Sequence, residues 1–418
     1  MKNINPLVGC AVVLSSTFLM SACGGGGGDS GDTTTSNVAP PSSATKTGVL
    51  LDSAVSNISY QTATQSGTTN ANGEFSYQDG ETVTFSIGNL TFPATTAGTV
   101  ITPVSMAGAA SITDTQANNI ARLLQSLDED GNPGNGISIP AGAATAAAPV
   151  DFNVDAATFE GNSAVVNLVA NSGSSTTSLI SAADAEAHVN ATLNDLSAGI
   201  VGVWRITNGE AFNYLVLLAD NTFLYAENDL TVQTAEENGL EAGTYSFDPN
   251  TGKATLTINY DDNAPGQDSG AGDIGTPAVY GLALSSGNTV LSIPDADLSF
   301  DAVDFTGGSS AIVGAWEINN STTGEFEYLL LMPDGTFLYA ENDPNVQTPA
   351  ENGLEVGTYT YDSAAGTVTF NITYDDNAPG ADSGIGDIGT PATIDFALSN
   401  SDNTLTAGGG VLVFARAL

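Results

Sequence analysis

Two stretches, YDDNAPGQDSGAGDIGTP (260–277) and YDDNAPGADSGIGDIGTP (374–391), differ at only two positions. Each places oxygen donors at the same spacing: Asp261, Asp262, Asn263, Asp268 and Asp273 in the first, and Asp375, Asp376, Asn377, Asp382 and Asp387 in the second. Hard oxygens on a glycine-rich backbone suit calcium, which takes roughly six to eight of them from carboxylates, amides and carbonyls. A loop of this length without its own secondary structure is uncommon in a compact domain unless it has a function or is flexible. A second acidic stretch could converge on it: Glu227, Asp229, Glu237 and Glu241, repeated as Glu341, Asp343, Glu351 and Glu355. The alternative is a solvated acidic loop on a chain where aspartate is common. Calcium is the one cofactor the sequence suggests.

Other chemistry finds little support, and the chain does not read as an enzyme. His188 is the only histidine, and its AEAHVNATL setting is a helix face. There is no G-x-S-x-G elbow, no glycine-rich phosphate loop and no histidine-based metal set. Two carboxylates could hydrolyse glycosides, but nothing singles out a pair among 47 acids. Residues 128–132 (DEDGN) match the first half of an EF-hand loop, yet its twelfth position, where a bidentate glutamate belongs, is Ile139.

Charge narrows the partners. With 47 Asp and Glu against 6 Lys and Arg, the surface repels nucleic acid and anionic lipid headgroups. Cys10 and Cys23 are the only cysteines. Cys10 lies in an apolar run over 7–20, too short to span a bilayer and suited to a secretory signal, so no disulfide framework is expected in the mature chain.

The elements that must position the loops follow from patterning. Residues 1–22 read as a signal peptide and 23–47 as a Gly/Ser/Thr/Pro-rich disordered tether. Residues 48–140 form a β-rich unit with turns at Asn72-Gly73 and Asp79-Gly80, and Phe75 and Tyr77 alternate with polar residues. Residues 113–127 place Ile120, Leu123, Leu124 and Leu127 on one face of an amphipathic helix. Residues 141–198 read as a small-residue linker and then a helix begun by Ser181 and Asp184 in capping-box spacing.

Residues 199–306 and 307–418 are tandem repeats, with Trp204 matching Trp316 and Tyr245 matching Tyr359. Each shows about eight strand candidates and a hairpin, turning at Asp220-Asn221 or at Pro333-Asp334-Gly335. In LTINY and TFNITY, strict alternation puts Leu256, Ile258 and Tyr260, and likewise Phe370, Ile372 and Tyr374, on one face. The expected fold is mainly β: a small sandwich-like unit with a few helices, then two antiparallel barrels or sandwiches.

Three resemblances carry implications. LMSAC, ending at Cys23 and followed by GGGGGDS, resembles the lipobox of bacterial lipoproteins. It implies lipidation of Cys23 and, with Gly24 rather than Asp next, outer-membrane retention. The pattern from Gly48 through Asp52 and Val55 to T-x-A-N-G-x-F-x-Y (69–77) is similar to transthyretin-like modules of bacterial surface proteins, which are mostly spacers. Gly202-Val203-Trp204 and Gly314-Ala315-Trp316, each followed by Y-L-x-L-x-x-D-[GN]-T-F, resemble bacterial lipocalin-like domains. That likeness implies that the tryptophan plugs a closed barrel end and that Arg416 packs over Trp316; the first repeat has no such arginine. The tryptophans are either plain core anchors, which is the simpler reading, or the floor of an apolar ligand cavity.

The functional expectation is a non-enzymatic lipoprotein, anchored to the membrane by its lipid, whose tandem β-domains bind a ligand or partner in the cell envelope, such as an outer-membrane protein. The alternative is a carrier of small apolar molecules working beside an outer-membrane transporter.

Overall fold

The computed structural model describes residues 44–209, 211–228, 238–262, 270–272, 274–285, 287–308, 310–320, 325–342, 352–376 and 384–418. The signal, Cys23 and nearly all of the tether lie outside them, as do Asn263, Asp268, Asp273, Asn377, Asp382, Asp229, Glu237, Asp343 and Glu351. The fold is mainly β with few helices.

The first unit pairs Lys46–Leu50 with Glu74–Tyr77 and Val100–Ile101, beside a second sheet built on Thr82–Ile87. Phe75 and Tyr77 are buried in the core between them. Gly73 and Gly80 take the positive φ that their turns require. Helix Thr115–Ser126 begins at Asp114, whose side chain accepts the Gln116 and Ala117 N–H groups. Ile120, Leu123, Leu124 and Leu127 are fully buried, but the opposite face is buried too, because Ala117 and Ala121 pack on Ala185 and Val189 of helix Ala182–Gly199. The four apolar residues share the face turned to the first core, and the helix is covered on its other side as well. Ser181 caps the second helix by accepting the Asp184 N–H at 3.1 Å. Much of the stretch read as linker is helical (Ala141–Ala146, Ala156–Glu160, Ser163–Asn171), and Phe152, Phe159 and Leu168 enter the first core.

The first repeat runs β1 (Gly202–Asn208), β2 (Ala211–Leu217), β3 (Thr222–Asn228), β4 (Gly239–Asp248), β5 (Lys253–Asp261), β6 (Ala278–Gly281), β7 (Ala283–Leu284), β8 (Val290–Ile293) and β9 (Leu298–Ala302). They pair in the order β6-β5-β4-β3-β2-β1-β9-β8-β7, a nearly closed barrel broken at Leu282. The second repeat closes fully through β10 (Gly314–Asn320), β11 (Glu325–Leu331), β12 (Thr336–Asn342), β13 (Gly353–Asp362), β14 (Thr367–Asp375), β15 (Ala392–Ser399), β16 (Thr404–Ala407) and β17 (Leu412–Arg416), which returns to β10. Asn221 and Gly335 hold the positive φ of the matching hairpin turns.

Each barrel buries its own core, around Trp204, Phe223 and Phe300 in one and Trp316, Phe337 and Phe370 in the other. A third core lies between the barrels. The outward faces of β2, β3 and β4 (Tyr214, Val216, Leu224, Leu240) pack against Tyr328, Leu330, Leu338 and Leu354. Strands with apolar residues on both faces are what this double burial demands.

One expectation is corrected here. Tyr260 does not share a face with Leu256 and Ile258. The register between β4 and β5 slips at Ala242 and Gly243, leaving Asn259 as an extra residue and turning Tyr260 outward into the third core. Tyr374 is turned in the same way. Gly243 and Gly357 permit the slip, since a Cβ there would lie 2.0 Å from the carbonyl oxygen of Thr257 or Asn371.

Candidate functional site: the barrel mouths and the seam between them

The residues that follow the bulges build a reciprocal seam. Tyr260 meets Phe326 edge-to-face at 5.5 Å, and Tyr374 meets Phe212 at 5.3 Å with the same geometry. These aromatic contacts are related by exchange of the repeats, as at an isologous interface between identical subunits. Asp262 Oδ1 accepts the Leu240 N–H and Asp376 Oδ1 accepts the Leu354 N–H, both at 2.6 Å. These carboxylates pin the start of each duplicated loop to the neighbouring strand. Partial desolvation pushes both carboxyls up, with the Asp376 charge adding to the effect at Asp262. Both side chains nonetheless remain exposed, so water screens that shift.

The far end of each loop is held from inside the barrel. Glu241, 2 % exposed, accepts the Ala271 N–H at 2.7 Å; Glu355, equally buried, accepts the Ile385 N–H at 2.9 Å. Asp261 and Asp375 pair with these two glutamates in register. Burial, and then the neighbouring carboxylates, raise Glu241 to about 9 and Glu355 to about 8. Deeper in, Tyr225 Oη donates to Glu227 Oε2 at 3.1 Å and Asn213 Nδ2 donates to both. In the second barrel Tyr339 Oη lies 3.1 Å from Glu327 and 2.9 Å from Glu341. Each mouth is thus an acidic, hydrogen-bonded plug to which the described residues at both ends of the loop are tied.

Among the described residues, no group of three or more His, Cys, Asp and Glu side chains is placed to hold a metal ion. Asp261, Asp262, Asp375 and Asp376 sit at the mouths, while Asp387 is exposed farther along its loop. Past each mouth, Ile274 and Ile388 stand 58 % and 56 % exposed at matching positions. Sequence reasoning missed this pair, although the repeated GDIGTP carried it.

Trp204 is buried in the first barrel, and its Nε1–H donates to Ile200 O at 2.9 Å. Trp316 donates to Ile312 O at 2.8 Å, and the Arg416 guanidinium carbon lies 4.1 Å from its ring centroid. Gly314 takes φ +155°, and a Cβ there would meet Arg416 Nη1 at 2.4 Å. The glycine of G-x-W is therefore required in this barrel.

His188 Nε2 lies 3.1 Å from Ser53 Oγ and 3.8 Å from the fully buried Asp52. Both approach the same ring nitrogen, whereas an acid–base relay to serine needs the acid on Nδ1. The contact ties helix Ala182–Gly199 to the turn at Ser53. In the EF-hand-like stretch, Asp128 Oδ1 accepts the Ser138 N–H at 2.9 Å and Asp130 caps its own turn.

No family model matches the chain, and neither a curated protein nor a solved structure is found to match it.

Proposed function

We propose that the protein is a non-enzymatic, lipid-anchored envelope protein whose paired barrels act as one recognition body for a partner. The observation that carries this reading is the reciprocal seam. It joins mouth end to mouth end, through Tyr260–Phe326 and Phe212–Tyr374, so the two near-identical acidic loops start side by side. A partner met by both loops gains from their linkage without any new contact. Anchoring rests on the LMSAC motif and the glycine-rich stretch after Cys23.

Calcium belongs to this proposal as a stiffener of the loops. Palmitate labelling and membrane fractionation of wild type against Cys23→Ala test the anchor; equal labelling and fractionation end it. Calorimetry with millimolar calcium and with chelator tests the metal, and superimposable curves end that part alone. For the recognition body, the chain is photo-crosslinked in whole envelopes from position 274 or 388. A discrete adduct at both positions, lost in Tyr260→Ala/Tyr374→Ala, supports it; no adduct at either position overturns it.

The carrier alternative draws on one feature, an apolar cavity of about 40 Å³ in the first barrel. Sites that enclose drug-sized ligands run to roughly 300–1,000 Å³. The volume does not support carriage of a whole lipid.

A further inference from the structure

That cavity is unusual in its lining and its place. Its walls include Ala254, Leu256, Tyr280, Leu282 and Leu298, and its rim is formed by Gly270 and Ala271 at the end of the duplicated loop. The matching deep positions of the second barrel are larger, Val368 for Ala254, Phe370 for Leu256 and Phe396 for Leu282, and at the rim Ile385 stands for Ala271. There, Phe370 packs on Phe337 at 4.8 Å and on Phe396 at 5.9 Å, whereas the first barrel has Leu256 and Leu282 beside Phe223. Nearer the mouth the change reverses, from Ile293 and Ala296 to Ala407 and Gly410. The first barrel is therefore lean at depth, while Ile293 and Ala296 fill more of the space nearer the mouth. The break between β6 and β7 falls at Leu282, one of the cavity's walls. Tyr280 Oη donates to Ala271 O at 2.9 Å and holds that residue at the rim; its counterpart, Ile394, has no such donor.

We propose that the first barrel is a binding site for the end of an alkyl chain whose head carries no negative charge. The cavity has room for on the order of two or three carbons, so the rest of the chain emerges past Ala271. There it meets a mouth bearing Glu227, Asp261 and Asp262 on a chain of net charge −41, whereas Glu241, raised to about 9, holds its proton at neutral pH and adds no charge. A carboxylate head is repelled at that mouth, while a hydroxyl or ammonium head is accepted. The site does not depend on the anchor, and it shares only Gly270 and Ala271 with the first duplicated loop.

The test uses the full chain with methyl-labelled Leu and Ile, titrated with 1-hexanol, hexylammonium and hexanoate and followed by NMR. The first two should shift the Leu256, Leu282 and Leu298 methyls, with hexanoate at least tenfold weaker. Ala271→Ile/Leu282→Phe, which copies the second barrel, should abolish those shifts and leave Leu329 and Leu405 unmoved. If that variant does not fold, Ala254→Val alone should weaken the shifts severalfold. No shift in wild type with any probe, or undiminished shifts in the filled variants, overturns the site. Equal binding of hexanoate overturns the stated ligand class.

Discussion

Arg205 of the first barrel and Asp334 of the second meet at 2.6 Å across the seam. The seam is otherwise reciprocal, but the position matching Arg205 is Glu317, and it faces Asp220. Glu317 Oε2 is buried without a hydrogen-bond partner, and burial, then the Asp220 charge, push its carboxyl up. One half of the pseudo-symmetric pair is thus an ion pair and the other is acid against acid. Glu317→Arg should supply the missing half. Because these groups are partly exposed, the expected gain is about 0.5–1.5 kcal/mol, or a few degrees in Tm. Thermal denaturation checks it, and adding Asp220→Asn should remove most of the gain. Unchanged stability in Glu317→Arg would mean that the two carboxylates do not feel each other.

Stability should fall as pH rises. Burial raises Asp52 to about 8, Glu241 to about 9 and Glu355 to about 8, against unfolded values near 4. For such acids the folded state holds protons that the unfolded chain has released. Their contribution is complete below about pH 4, declines as pH climbs toward 9, and is flat above that. Acidification also relieves the repulsion of a chain with net charge −41, which acts in the same direction. Glu241→Gln/Glu355→Gln separates the two effects. It should flatten the Tm-against-pH curve between about 5 and 9, while a pure net-charge effect would leave the slope nearly unchanged.

The strands of both barrels were legible because their cores follow simple rules: alternation, hairpin turns at Asn221 and Gly335, and a tryptophan at the start of each copy. The seam was legible in part. Tyr214 to Leu218 is an unbroken apolar run, which a strand with one wet face would not carry. What hid the seam was the bulge at Asn259. A single extra residue reverses the face of everything after it, and the alternation Leu256, Ile258, Tyr260 gives no sign of the slip. Gly243 and Gly357 were the available signal, because glycine inside a strand marks close backbone approach. The helices over 141–171 were obscured by composition: AGAATAAAP reads as a linker until Phe152 and Phe159 bury beside it. The tying-down of each duplicated loop's far end also depends on Glu241 and Glu355, which lie some thirty residues away from the groups they hold.

Arg416 should be the most consequential single cation in the second barrel. Its guanidinium stacks on Trp316 and donates to three carbonyls: Asp402 O at 2.8 Å, Val313 O at 3.0 Å and Ala311 O at 2.8 Å. These bonds hold the segment leading into β10 against the last turn of the barrel. Cation–π stacking contributes roughly 0.5–2 kcal/mol and hydrogen bonds to a charged donor add to it. Arg416→Ala should therefore cost about 2–4 kcal/mol. Lysine is a single ammonium that cannot reach three carbonyls and cover the indole at once, so Arg416→Lys should recover less than half of that loss. The first barrel provides the control, since Ala302 occupies the matching position beside Trp204. Denaturant unfolding should show the loss, and the emission of Trp316, isolated in a Trp204→Phe background, should shift to the red. A Arg416→Ala protein within about 0.5 kcal/mol of wild type would show that the barrel closes without its arginine, as the first one does.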